Sequence, residues 1–245
     1  MTAREKFESL FGQKKCILAM LHLKGDTDGD ILERAKHEID IYMKQGVTAV
    51  IVENYFNQDE TRYAELVLDY LQKNRNDIIY GVNMLEHDEA GFTAAAAYGA
   101  RFIQLDSVAG HLPPEQDVEF GRQIASWRRM TDALVFGGVR FKYQPYLSGR
   151  SLEEDLALGM ARCDGIVVTG SGTGVETSMD KIIQFRSILG DFPLLIGAGM
   201  TPENALERLE LADGAIVGSY FKDTYKDSGE VDESHIRTFL DAIGM

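Results

Sequence analysis

Short apolar, β-branched runs recur along this chain at about 20–35 residue intervals, and each is followed by a segment with apolar residues at helical spacing. The runs are Cys16–His22, Val47–Glu53, Ile78–Leu85, Phe102–Asp106, Ala133–Phe141, Gly165–Thr169, Pro193–Gly197 and Ala215–Gly218. Ile31, Ala35, Ile39 and Met43 lie on one helical face, as do Tyr63, Leu66, Val67, Tyr70 and Leu71. Ser151 with Glu154 forms a capping box, and Thr201-Pro202-Glu203 reads as a helix start. Gly46 and Gly99 fall where helices should stop.

Eight strands alternating with helices predict a (β/α)8 TIM barrel, preceded by a short leading helix within residues 1–14 that covers the barrel bottom. An open doubly wound sheet would want a glycine fingerprint after its first strand, where this chain has His22-Leu23-Lys24-Gly25. The length of 245 residues suits one such domain, 1–245, with no Pro/Gly/Ser linker or low-complexity block to divide it.

Charge and composition narrow the function classes. A net charge of −14 disfavours nucleic acid, whose binding depends on Lys and Arg neutralising phosphates. No apolar stretch reaches the ~18 residues of a membrane span, and the polar N-terminus has no secretory apolar region. Cys16 and Cys163 sit in or beside apolar runs and read as reduced core cysteines. These features predict a cytoplasmic protein.

In this barrel class chemistry sits at the C-terminal ends of the strands. Those ends offer His22, Glu53 and Asn54, Asn83, Gln104 and Asp106, Arg140 and Lys142, and Thr169. Polar residues gathered at one end of six otherwise apolar strands are costly unless used or paired. Glu53 and Asp106 are candidate acid and base, and Lys142 is a candidate charge for a developing oxyanion. A regular strand would put Arg140 on the same side as Lys142. Asn83 and His22 complete the catalytic candidates, with Asn54, Gln104, Arg140 and Thr169 as ligand contacts. His37, His111 and His235 read as solvated. No HxH pair, HExxH or aspartate-rich spacing marks a metal site, and no cofactor fingerprint is present.

The last three runs end in glycines. Gly170, Gly172 and Thr173, then Gly197 and Gly199, then Gly218 and Ser219 precede helical segments. Glycines admit a ligand close to backbone N–H groups, and helix starts favour anions, so these loops are a candidate phosphate cradle. Walker A is absent.

Val52-Glu53-Asn54, Gly81-Val82-Asn83-Met84-Leu85, Ile166-Val167-Val168-Thr169-Gly170, Leu194 to Asn204 and Ala212 to Lys222 resemble the BtpA/SgcQ family, in order over nearly the whole chain. The resemblance implies a TIM barrel of the ribulose-phosphate-binding kind. It carries Glu53, Asn54, Asn83, Lys142, Thr169 and Gly170 onto family motif positions. The chain departs from the family with Phe141-Lys142-Tyr143 where Val-Lys-His is usual, with Gly137-Gly138-Val139 where an acidic residue is expected, and with Tyr55-Phe56-Asn57 where Gly-Asp follows Val-Glu-Asn.

The expectation is an enzyme that binds a small phosphorylated metabolite, a sugar phosphate or a nucleotide-derived phosphate, and runs an isomerase, epimerase or lyase step by proton transfer. A non-catalytic assembly barrel and a metal-dependent hydrolase are the alternatives. Tyr220, Phe221 and Tyr225, beyond the last strand, fit either a partner chain of a homo-oligomer or a cover on the barrel.

Overall fold

A computed structural model describes all 245 residues. Helix α1 (Ala3–Phe11) leads into β1 (Cys16–His22), α2 (Asp28–Gln45), β2 (Ala49–Glu53), α3 (Arg62–Asn74), β3 (Ile79–Asn83), α4 (Asp88–Tyr98) and β4 (Phe102–Ala109). There follow α5 (Pro114–Trp127), β5 (Leu134–Val139), α6 (Leu152–Arg162), β6 (Gly165–Val168), α7 (Met179–Leu189), β7 (Leu194–Ile196), α8 (Pro202–Leu211), β8 (Gly214–Val217) and α9 (Glu233–Ala242). The eight strands close into one parallel barrel, with β8 paired back onto β1. No helix is long and apolar enough to cross a membrane.

Alternation along each strand sorts its side chains between two cores. In β1, Ile17, Ala19 and Leu21 pack outward under the helices, while Cys16, Leu18 and Met20 face the barrel axis. In β2, Val50 and Val52 go outward and Ala49 and Ile51 inward. The lower barrel is filled by Phe102, Phe136, Val167, Leu195 and Ile216, all buried. The same period of two brings His22, Glu53, Asn83 and Gln104 to the axis at the upper end, as a polar tier above an apolar floor.

The expected leading helix is present, and it closes the bottom. Phe7 is buried among the first residues of the strands, its ring 5.9 Å from that of Phe136, and Phe11 lies 5.7 Å from Phe102. A capping box of Thr2 and Glu5 starts α1, and the one expected at Ser151 and Glu154 starts α6. Gly46 and Gly99 end α2 and α4 in the left-handed conformation.

Several local expectations are corrected. β4 does not stop at Asp106 but runs to Ala109, with a register break between Leu105 and Ala109, so Asp106 lies in an irregular stretch inside the strand. β5 stops at Val139, and Arg140 adopts a positive φ of 49°, so Arg140 and Lys142 are loop residues with no common strand face. His111 is half-buried against Phe120, not solvated. Phe221 is fully buried between Tyr42 and Phe239, whereas Tyr225 is exposed.

Candidate functional site

The register lines up His22 with Glu53 and Glu53 with Asn83, so three neighbouring strands end in one polar row. His22 Nε2 lies 3.3 Å from Glu53 Oε2. The Asn83 amide nitrogen donates to Glu53 Oε1 at 2.7 Å and to Asp106 Oδ1 at 3.3 Å. One carboxamide therefore couples the two carboxyl groups singled out in the sequence. The Gln104 amide lies beside Asp106 and helps to hold its charge.

Burial sets the proton balance of this row. It pushes the Glu53 carboxyl up to about 8, aided by the negative Asp106 and opposed by Lys142. Burial also raises Asp106, against the pull of Lys142, the bond from Asn83 and the nearby Gln104 amide. His22 is driven down to about 3, chiefly by burial, so its imidazole is neutral at physiological pH. Glu53 thus keeps its proton at neutral pH beside a second buried carboxyl group that Lys142 and two amides help to ionise, an arrangement that suits acid–base work.

A cavity of about 520 Å³ opens above this row. Its wall carries Glu53, Gln104, Asp106 and Lys142 on one side and Thr173, Gly197, Gly199, Gly218 and Ser219 on the other. Lys142 is its only Lys or Arg, and its ammonium donates to Thr173 Oγ1 at 3.0 Å. In the loop after β7, the backbone N–H groups of Ala198, Gly199 and Met200 donate to no backbone carbonyl. The three residues line the cavity, and Gly199 takes a left-handed φ of 67°.

Five expected ligand and phosphate contacts do not line the cavity. Asn54 is buried and bonds Gln58 O, Leu85 O and Leu85 N, fixing the loops after β2 and β3. Thr169 Oγ1 accepts from Lys142 N at 2.9 Å and so places the lysine, without reaching the cavity. Arg140 pairs with Asp155 at 2.9 Å and donates to Arg150 O, away from the cavity. Gly170 packs on the carbonyls of Val175 and Glu176 inside its own loop, and Gly172 faces the Tyr143 hydroxyl at its edge.

Three residues on the wall were not among the expected ones. Asp227, in the loop after β8, accepts from Tyr55 OH at 2.9 Å and from the Ser219 hydroxyl. It faces His22 Nδ1 at 3.8 Å, too far for a hydrogen bond. The Tyr55 ring lies 4.6 Å from that of His22. Tyr143 takes the Thr173 N–H on its hydroxyl at 2.7 Å. All three lie in loops, where no periodicity marks a direction; Tyr55 and Tyr143 at least follow a strand end closely, whereas Asp227 lies well beyond β8. No group of three His, Cys, Asp or Glu side chains is arranged to hold a metal ion.

The chain is 27% identical over 236 residues to an uncharacterized protein of Pyrococcus furiosus, covering 87% of this chain and 88% of that one. It is 25% identical over 231 residues to the photosystem I biogenesis protein BtpA of Synechocystis, covering 87% and 79%. Among solved structures it is similar to the tryptophan synthase alpha chain of Legionella pneumophila, with a TM-score of 0.65, 15% identity and 99% and 97% coverage. Phosphoribosyl anthranilate isomerase of Thermococcus kodakaraensis aligns with a TM-score of 0.60, 16% identity and 94% and 99% coverage. At those identities the likeness is one of fold. The BtpA family profile matches residues 13–244, and the chain belongs to the BtpA family.

Proposed function

We propose that this protein is an enzyme that binds a small phosphorylated metabolite and isomerises, epimerises or cleaves it by proton transfer. The observation that carries the reading is the opposition of two walls in one cavity. The loop of Ala198, Gly199 and Met200, whose N–H groups donate to no backbone carbonyl, lines the same cavity as a row of coupled acids, Glu53 and Asp106, joined by Asn83. The donors suit a phosphate and the acids suit a carbon centre beside a carbonyl. Asp106 takes the proton as base, Glu53 returns one as acid, and Lys142 stabilises the enediolate oxygen between the two transfers. Thr173 and Ser219 add hydroxyls to the anion side, and His22 supports Glu53. The similarity in fold to a phosphoribosyl anthranilate isomerase agrees with this reading.

The test is calorimetry and thermal shift with inorganic phosphate and a panel of sugar phosphates and nucleotides, followed by crystals soaked in the best binder. The expected result is stabilisation by a phosphoester and an anion at the β7 and β8 loops. If no phosphoester stabilises the protein and no anion occupies those loops, the reading fails.

A further inference from the structure

Glu86 stands where two chambers meet. It lines the cavity above the polar row and also a second chamber, of about 800 Å³, that shares Leu85, Asp106 and Gln144 with the first. It is the third residue of a turn that follows β3, closed by His87 N donating to Met84 O at 3.0 Å. Its φ of 64° is left-handed, in a place that glycine or asparagine ordinarily takes. A residue with a long side chain held in that region is uncommon, and such outliers gather at functional sites. The turn thus keeps an exposed carboxylate at the junction.

The charge around it has one sign. The first cavity carries Glu53, Asp106 and Asp227 beside Glu86, against Lys142 alone. The second adds Glu65, Asp88 and Glu89, with no Lys or Arg. Burial, then Asp106 and Glu86, push the Asp88 carboxyl up to about 6, and no cation opposes the push. On the phosphate reading, Lys142 and the loop after β7 serve one anion. A second anionic group reaching past Asp106 would meet carboxylates without a counter-charge, and like charges brought together cost affinity. A hydroxyl meets no such penalty, because a carboxylate accepts its hydrogen bond. We infer that Glu86 is a specificity-determining residue that rejects ligands with a second anionic group, bisphosphates and phosphorylated sugar acids among them. This rests on the phosphate reading above and narrows it to monophosphates whose remainder carries no negative charge.

The experiment pairs esters that differ at one end. Glucitol 6-phosphate and 6-phosphogluconate differ by a carboxylate in place of a hydroxymethyl group. Fructose 6-phosphate and fructose 1,6-bisphosphate differ by a second phosphate. Affinities are measured by calorimetry on the full chain, as wild type, Glu86→Gln and Glu86→Asp. In wild type the member with one anion binds tighter by about tenfold or more. Glu86→Gln, of the same size and without the charge, narrows that ratio by at least about threefold, and Glu86→Asp keeps it. High salt narrows the wild-type ratio as well. The readout is a ratio within one variant, so a general loosening of the turn does not imitate it.

The inference is overturned if the member with two anions binds as tightly or more tightly in either pair, or if Glu86→Gln leaves the ratio unchanged. If neither phosphate nor any ester binds, the phosphate reading falls separately. Two small nitroxides, one bearing a carboxylate and one a hydroxyl, then decide the rest by their broadening of the amide NMR signals of residues 85–89. Weaker broadening by the carboxylate nitroxide, with the gap narrowed in Glu86→Gln, supports the inference, and equal broadening overturns it.

Discussion

Glu53 and His22 titrate in opposite directions because burial disfavours the charged form of each. Between its ordinary value of 4.5 and about 8, Glu53 keeps in the folded chain a proton that the unfolded chain has released. Its contribution to stability therefore falls as pH rises through that window. Between about 3 and 6.5, His22 refuses in the folded chain a proton that the unfolded chain holds. Its contribution falls as pH drops through that window. Glu53→Gln removes the first effect and leaves the second. We expect the melting temperature of Glu53→Gln, relative to wild type, to be at least ~3 °C more favourable at pH 9 than at pH 5. A difference that is flat with pH would mean that burial does not hold the proton on Glu53. His22, Glu53, Asn83 and Gln104 were legible in the sequence because a period of two fixes which way a strand residue points. Asn54, Thr169 and Arg140, expected as ligand contacts, make their hydrogen bonds to neighbouring loops for a physical reason. Loop carbonyls and N–H groups need partners, and these side chains supply them, but nothing in the spacing says which loop will ask.

Among the elements, the loop from β7 to α8 is where the proposed reading puts the anion. Its donors stay open because the chain turns at Gly199, which the sequence marked as a glycine-rich strand end. A Cβ on Gly199 would lie 2.3 Å from Glu176 Cα, so the loop after β6 would have to move. Gly46 also has a positive φ, of 88°, but a Cβ there meets nothing within 4 Å. The two substitutions separate strain from crowding. Gly46→Ala should cost ~1 kcal/mol in urea unfolding and leave phosphate affinity within about twofold. Gly199→Ala should cost more, ~2 kcal/mol or above, and weaken phosphate binding by about tenfold or more. Equal phosphate affinity in the two variants would remove this loop from the site. The strand order was readable because all eight runs are apolar and bounded by turn residues. The break in β4 was not, because a bulge is set by its partner strand: Val108 crosses over Gly137, which has no side chain to oppose it.

At the scale of the whole molecule, the barrel separates its helix-closed end from the polar candidate site at the other. The bottom is closed by α1 and a ring of ion pairs. Asp164, just before β6, holds Val135 N together with Lys6 and Arg128. Asp213, just before β8, holds Leu194 N together with Arg4 and Arg186. Each aspartate thus ties the start of a strand to α1 and to an outer helix or its end. Phe7 is the apolar centre of this closure, 2% exposed, with its ring 5.0 Å from Phe11 and 5.9 Å from Phe136. Phe7→Ala leaves a cavity among the lowest layer of side chains and should cost ~3–5 kcal/mol. For a chain of this size that is a fall of ~6 °C or more in melting temperature. The polar tier of His22, Glu53 and Asn83 stands at the other ends of the strands, with the layer of Leu18, Ile51 and Phe102 between it and α1. Distant sites that share no partner act independently. Ligand affinity in Phe7→Ala, measured well below its melting point, should therefore stay within about twofold of wild type. A loss of affinity in step with the loss of stability would show instead that α1 sets the width of the barrel mouth, and that the two ends are coupled through the strands.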